Sequence, residues 1–318
     1  MPLAQTTESL NMYALAETFR SSLPLRATLD PHFEEALRHV LDHPGSLVRP
    51  RLVMQMALAY GLEAGAARDL AVALEYFHTA SLLFDDLPCM DNALERRGVP
   101  CAHLAFGEAG AILTALALIN RAYALTWRAV AASPQARQQQ ALAFIEECLG
   151  VEGLLNGQSL DLHYSMLPHT AETTAQIARG KTVSLIRLTL ALPAMLGGAT
   201  ERELQQIERI ALFWGLSYQI VDDLKDVLQN AEQTGKTPAR DALLDRPNIA
   251  VALGVEGAVE RLVQLIRMGD STLRKMLATR PALEFLSRLR TELEAELARV
   301  TENSRALAEG GQLCSSSS

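Results

Sequence analysis

The spacing of the prolines is the feature that most constrains the fold of this chain. Thirteen prolines are distributed over 318 residues so that long stretches contain none. A proline inside a helix removes a backbone hydrogen bond and clashes with the preceding turn, so long helices are confined to such stretches. The main ones are 51–87, 101–133, 135–167, 194–237, 248–280 and 282–318, and they are rich in Ala, Leu, Glu, Gln and Arg. These residues favour helices, and no stretch shows sustained alternation of β-branched residues, so the sequence predicts an all-α protein.

Caps and turns divide the chain into helices. Asp30 and Pro31 suit an N-cap and a first helical position. The predicted helices are 5–20, 29–42, 49–61, 66–86, 105–131, 134–165, 169–197 and 200–229, with two or three more towards the C-terminus. Hydrophobic residues make up 49% of the chain, and no repeat or long linker interrupts it. We therefore expect a single domain over residues 1–309 and a disordered tail at 310–318.

Charge and cysteine usage exclude several classes of protein. The formal net charge is −8, which argues against nucleic acid as the main partner. The N-terminus lacks the basic and apolar regions of a signal peptide, and no run of 18 uncharged apolar residues predicts a membrane span. The four cysteines fit neither a zinc site nor a disulfide framework. The expected localisation is cytoplasmic.

An acidic cluster follows the apolar helix that ends near residue 86. Asp85 and Asp86 are adjacent, Asp91 follows shortly after Pro88, and Arg96 and Arg97 come next. Carboxylate oxygens are the ligands that Mg²⁺ prefers, and guanidinium groups bind phosphates in pairs of hydrogen bonds. This stretch therefore predicts a site for a divalent cation and a phosphorylated ligand.

A second acidic cluster lies on the long helix predicted over 200–229. Gln219, Asp222, Asp223 and Asp226 are spaced at i, i+3, i+4 and i+7, which places them on one face. Two such clusters on different helices could face each other and hold several Mg²⁺ ions around a diphosphate. Metal neutralisation makes a diphosphate a good leaving group, and an apolar bundle would shelter the carbocation that it leaves behind.

The order of these motifs resembles that of the trans-type prenyl diphosphate synthases. The first cluster matches the family's Asp-Asp-x₄-Asp-x₄-Arg-Arg-Gly, and the second matches Gly-x-x-Tyr/Phe-Gln-x-x-Asp-Asp-x-x-Asp. Lys181-Thr182 and Gly235-Lys236-Thr237 match the family's Lys-Thr and Gly-Lys-Thr, and His78 begins its His-x-x-Ser-Leu-x-x-Asp run. The resemblance covers residues 40–255 and implies the isoprenoid synthase fold, a single helical bundle around a central apolar cavity.

The resemblance also implies a role for each matched residue. It implies a Mg²⁺-dependent condensation of an allylic diphosphate with isopentenyl diphosphate to give farnesyl or geranylgeranyl diphosphate, with three Mg²⁺ ions and a homodimer. Asp85, Asp91 and Asp222 would bind the ions directly, with Asp86, Asp223 and Asp226 beside them. Arg96, Lys181, Gln219 and Lys236 would hold the allylic diphosphate, with Thr182 beside the cation, and Arg49, His78 and Arg97 would hold isopentenyl diphosphate. Diphosphate loss, attack by the double bond and proton loss would follow in turn, with Asp85, Asp86, Asp91, Lys181 and Asp222 as the catalytic residues.

The chain departs from the family pattern before the third helix. The family's Gly-Gly-Lys-Arg-x-Arg-Pro is replaced here by a segment in which Ser46 and Leu47 stand for the lysine and the first arginine. Each lost charge-assisted contact to a phosphate is worth roughly 1.5–3 kcal/mol. This departure favours one alternative, a terpene-synthase-like enzyme that ionises an allylic diphosphate without isopentenyl diphosphate. A second alternative is a non-catalytic partner subunit, against which the intact acidic motifs count.

Overall fold

The computed structural model describes residues 14–234 and 246–315, with side chains described over 14–228 and 246–302. The described chain is almost wholly helical, which confirms the all-α prediction. The helices are residues 14–21 (α1), Pro31–Leu41 (α2), Val48–Tyr60 (α3), Ala64–Asp85 (α4), Ala102–Ala131 (α5), Gln135–Leu149 (α6), Leu154–Leu162 (α7), Ala171–Ala178 (α8), Ser184–Gly197 (α9), Glu201–Thr234 (α10), Ile249–Leu277 (α11) and Leu286–Ser315 (α12). Two-residue strands β1 (Glu95–Arg96) and β2 (Val99–Pro100) form a small antiparallel hairpin.

The described residues form two compact units. Unit 1 contains those of Met1–Leu142 together with Leu192–Gly198, and unit 2 contains those of Ala143–Ala191 and Ala199–Ser318. The expectation of one domain over residues 1–309 stays a prediction. The last helix, α12, continues to Ser315, beyond the point at which the sequence analysis ended the domain.

Helix α4 is the central element of unit 1 and packs between α3 and α5. It begins where the Glu63 side chain accepts a hydrogen bond from the Ala66 amide. Side chains on most of its faces are buried, among them Leu70, Leu74 and Tyr76, which explains why its sequence is apolar nearly all round. The helix ends at Asp85 shortly before Pro88, so it delivers the first acidic cluster to its C-terminal end.

Helix α5 is buried on one side only. It packs against α2 and α4, whereas several large apolar side chains on it are exposed. Among them are Leu113, Leu116, Tyr123 and Trp127. Of the helices that the structure describes, α5 is the one with the length and mean hydropathy of a membrane span, a match in size and composition alone.

Two helices predicted as continuous are interrupted in the structure. The predicted 134–165 helix is divided into α6 and α7 at Gly153, where an added Cβ would lie 2.3 Å from the carbonyl oxygens of Glu147 and Cys148. Only glycine permits so tight a turn. The predicted 169–197 helix contains a π-helical turn, Arg179–Val183, between α8 and α9. Short π segments inside helices occur frequently at functional sites.

Candidate functional site

The acidic end of α4 is built by a chain reversal. The Asp91 amide donates a hydrogen bond of 2.9 Å to the Asp85 carbonyl oxygen, so the loop after α4 returns to the helix end. Asp85 and Asp91 are both partly exposed. Carboxylate oxygens are hard donors of the kind that Mg²⁺ takes, usually one or two from the protein and the rest from substrate phosphates and water. Among the described residues no group of three His, Cys, Asp or Glu side chains is arranged to hold a metal ion.

Asp86 is directed inwards rather than towards solvent. Its side chain is 3% exposed, and Oδ1 accepts hydrogen bonds from Arg96 Nε at 3.1 Å and from Arg96 Nη2 at 2.5 Å. The hydrogen bond from Arg96 to Asp86 raises the pKa of the guanidinium. Asp86 therefore positions Arg96, and its predicted role at the metal stays a prediction.

Unit 1 contains an open cavity of about 450 Å³ beside this acidic end. The cavity brings together the three residues predicted to hold isopentenyl diphosphate, Arg49, His78 and Arg97, and adds Arg96. Its other lining residues are Gly45, Ser46, Val48, Glu75 and Leu82. Three guanidinium groups around one cavity suit a diphosphate.

Arg97 is held by contacts on several sides. Its backbone is left-handed (φ 57°), and Nη1 donates a hydrogen bond of 2.8 Å to the His43 carbonyl oxygen. A Cβ at Gly45 would lie 2.6 Å from Arg97 Nε, so the glycine leaves room for the guanidinium. Nη2 also lies 3.5 Å from Glu75 Oε1.

His78 is neutral in this cavity. Burial lowers its pKa to about 2, and the positive charges of Arg49, Arg97 and Arg96 add to the effect. The ring therefore offers hydrogen bonds to a ligand without contributing charge across the ordinary pH range.

Glu75 was missed by the sequence analysis. Its side chain is 3% exposed, and burial raises its pKa to about 7 against the opposing effect of Arg49 and Arg97. It lies three residues before His78, on the same face of α4. That spacing was the available signal, but a lone glutamate in an apolar helix does not show what it faces.

Ser46 and Leu47 have different environments. Ser46 is exposed and lines the cavity, whereas Leu47 is 3% exposed and left-handed (φ 49°). The substitution that matters to the cavity is therefore the one at Ser46.

In unit 2 the second acidic cluster is divided by its contacts. Thr182 Oγ1 donates to Gln219 Oε1 at 2.8 Å, and Gln219 Nε2 donates to Asp223 Oδ1 at 2.9 Å. Asp223 Oδ2 accepts from the Ile249 amide at 2.8 Å, at the start of α11. Asp223 is buried, while Asp222 is exposed and Asp226 is partly exposed. Of the three aspartates in this cluster, Asp223 therefore fixes a helix start, whereas Asp222 and Asp226 reach solvent.

Lys181 contacts a carboxylate that the sequence analysis also missed. Its Nζ lies 2.7 Å from Asp161 Oδ2, and Arg246 Nη1 lies 3.2 Å from the same oxygen. Asp161 is nearly buried on α7, where it holds both cations. Asp161 lies four residues after Gly157, which contacts the π turn. The sequence alone does not show that this spacing brings the Asp161 carboxylate to Lys181. Lys236 lies outside the described residues, and the expected meeting of the two acidic clusters stays a prediction.

Comparison with known proteins gives one consistent result. Residues 30–278 match the sequence model of the polyprenyl synthetase family. The chain is 36% identical over 246 residues to geranylgeranyl pyrophosphate synthase 7, chloroplastic, of Arabidopsis thaliana, covering 76% of this chain and 70% of the relative. It is 34% identical over 271 residues to geranylgeranyl pyrophosphate synthase, chloroplastic, of Capsicum annuum, covering 83% and 73%.

Solved structures agree with these relatives. A FPP/GFPP synthase from Zymomonas mobilis superposes with a TM-score of 0.75 at 25% identity, covering 92% of this chain and all of that one. A geranyltransferase from Helicobacter pylori, complexed with magnesium and isoprenyl diphosphate, gives a TM-score of 0.72 at 26% identity, covering 92% and 96%.

Proposed function

Since this chain belongs to the polyprenyl synthetase family and is a prenyltransferase, we propose that it condenses an allylic diphosphate with isopentenyl diphosphate. The product would be farnesyl or geranylgeranyl diphosphate. The observation that carries the proposal is the unit 1 cavity, in which Arg49, Arg96 and Arg97 surround space beside the acidic end of α4. A second diphosphate needs such a cationic site, and an enzyme that uses a single allylic diphosphate does not.

Magnesium fits the acidic side chains of both units. Asp85 and Asp91 in unit 1 and Asp222 and Asp226 in unit 2 would hold the ions, which neutralise the leaving diphosphate. The geranyltransferase from Helicobacter pylori, whose structure contains magnesium and isoprenyl diphosphate, supports the use of this ion. The family resemblance implies that three such ions bind together with the diphosphate.

The remaining residues orient the reactants. Arg49, Arg97 and neutral His78 would bind the diphosphate of the nucleophile, so that its double bond is held in place for attack on the allylic cation. Lys181 would bind the allylic diphosphate, and Asp161 holds its ammonium group. The proton lost after attack would leave with the departing diphosphate.

The two alternatives are not favoured. Loss of isopentenyl diphosphate binding would remove the need for an arginine-lined cavity, yet Arg49 and Arg97 remain there despite Ser46. A non-catalytic subunit would not need Asp85 and Asp91 to stay accessible at the end of α4.

Product analysis tests this proposal. Purified protein is incubated with Mg²⁺ and geranyl or farnesyl diphosphate, with and without isopentenyl diphosphate, and the products are identified by mass spectrometry. A longer diphosphate that appears only with isopentenyl diphosphate is expected. Arg49→Gln should raise the KM for isopentenyl diphosphate about tenfold or more, since a charge-assisted contact is lost, whereas Arg51→Gln, which does not line the cavity, should leave it unchanged. Diphosphate release that is indifferent to isopentenyl diphosphate would contradict elongation.

We also propose that the exposed apolar face of α5 forms a homodimer contact. Leu116, Tyr123 and Trp127 are each at least half exposed, and their spacing of seven and four residues places them on one face of this helix. Exposed apolar side chains grouped on one face are typical of an interaction site. Trp127→Glu should shift the protein to a monomer in light scattering. Leu58→Glu, at an isolated exposed leucine of α3, is the control, and a monomeric wild-type protein would refute the dimer.

A further inference from the structure

Glu75 is the one carboxylate among the lining residues of the unit 1 cavity. The groups that face it come from three elements. Arg49 approaches from α3, Arg97 and Arg96 from the β1–β2 hairpin, and His78 from the next turn of α4. Since His78 is neutral and Arg96 is paired with Asp86, the net charge around Glu75 is set by Arg49 and Arg97.

The contacts of Glu75 are poor for a buried ion pair. Its Oε1 is 3.5 Å from Arg97, and its Oε2 is buried without a hydrogen-bond partner among the described residues. The Nε atom of Arg49 is likewise buried and lacks a partner in the described part of the chain. Unsatisfied buried groups are costly, so a cluster arranged in this way is not optimised for stability. Its members instead face a cavity in which a ligand would change their charge balance.

Resting on the proposed function of this cavity, we propose that Glu75 is a positioning residue that offsets one of the two positive charges of Arg49 and Arg97 in the ligand-free protein and takes up a proton when a diphosphate binds there. The diphosphate brings negative charge close to the two guanidinium groups, and these then pair with the ligand. The ionised carboxylate, deprived of its cations and placed near an anion, is disfavoured. The proton comes from solvent, and no bond to the ligand is made or broken.

The change in the pKa of Glu75 on binding determines whether affinity for the diphosphate rises or falls with pH. In the empty site the pKa of Glu75 is about 7, and a bound anion raises it further. Binding therefore takes up protons in the window above pH 7, and affinity for the diphosphate falls as pH rises through that window. If the bound anion raises the pKa by one unit, the affinity lost reaches roughly tenfold. A phosphate group that binds to arginines loses protons to solvent. Proton release by the ligand is therefore opposite in sign to proton uptake by Glu75.

Titration calorimetry measures this proton uptake. Isopentenyl diphosphate is titrated into the protein at pH 7.5 without Mg²⁺. The acidic clusters then repel diphosphates, so the binding that is measured is that of the arginine-lined cavity. Runs in two buffers with different ionisation enthalpies give the number of protons exchanged. The wild type should take up protons and the Glu75→Gln variant should not. Glu35→Gln, which removes an exposed carboxylate of α2, is the matched control and should behave as the wild type.

The outcomes distinguish failure of the proposed role of Glu75 from failure of the proposed function of the cavity. Equal proton exchange in wild type and Glu75→Gln, with binding intact, would overturn the role of Glu75 and leave the proposed function standing. No binding to the wild type would overturn the cavity as a diphosphate site and this inference with it. Should the variant fail to fold, the wild type alone decides, since its proton uptake must vanish by pH 5.5, where Glu75 is already protonated.

Discussion

Replacing Gly157 with alanine tests the close contact between α7 and the π turn that carries Lys181. A Cβ at this position would lie 2.3 Å from the Lys181 amide nitrogen and 2.5 Å from the Gly180 carbonyl carbon. Both are backbone atoms, which cannot rotate away as the end of a flexible side chain can. The two segments must therefore separate by about 1.1 Å to reach the 3.4 Å at which ordinary contacts begin.

The cost of this separation follows from two opposing effects. Overpacking in a close-packed region costs about 1–3 kcal/mol. Alanine is better than glycine inside a helix by about 0.5–1 kcal/mol, which offsets part of that cost. A net loss of roughly 1–2 kcal/mol in the free energy of unfolding is expected. The same displacement moves Lys181 against Asp161, and a misplacement of about 1 Å at a binding group can reduce the rate by about a hundredfold.

Denaturant unfolding and steady-state kinetics measure the two consequences. Gly257→Ala is the control, because its Cβ would meet only the Leu253 side chain at 3.2 Å within α11. It should be as stable as the wild type or more so. If Gly157→Ala were as stable and as active as Gly257→Ala, the close contact would not be required and the reasoning would be wrong.

Three further predictions concern the charged residues. The pKa of Glu75 is about 7 in the folded protein against an ordinary 4.5, so its contribution to stability is present below about pH 4.5 and is lost as pH rises through 7. Glu75→Gln should therefore have a free energy of unfolding at most ~3 kcal/mol above that of the wild type at pH 8 and equal to it at pH 4, as measured by urea unfolding. Asp161→Asn should free Lys181 from its carboxylate and raise the KM for the allylic diphosphate several-fold, with the KM for isopentenyl diphosphate unchanged. Ser46→Lys adds a cation to the cavity and should lower the KM for isopentenyl diphosphate about tenfold, and an unchanged KM would show that the serine does not weaken binding.

Helix content and the order of motifs were predictable because both are local properties. Proline spacing and helix propensity predicted the long helices, and the end of α4 at the first acidic cluster follows from Pro88. The breaks at Gly153 and at the π turn were not predictable. A glycine within a helical stretch is tolerated in many places, and only the contacts around Gly153 show that a Cβ cannot fit there.

The candidate site was predictable in its residue types and only partly in its geometry. Arg49, His78 and Arg97 were expected around one ligand, and the structure lines one cavity with them. Helical periodicity placed Asp222 and Asp223 on one face, but it does not specify what that face contacts. Asp223 is used to start α11, while Asp222 remains exposed.

By itself, the sequence determined the all-α class, the acidic and basic motifs and the chemistry that they imply, because propensity, spacing and charge are written in neighbouring residues. Only the tertiary structure decided which charged groups are available to a ligand and which are engaged with the protein. The partners of Glu75 and Asp161 are distant in sequence, since Arg49 lies on another helix and Arg246 is 85 residues from Asp161. The pairing of such groups, and hence their pKa values and accessibility, exists only once the helices are packed.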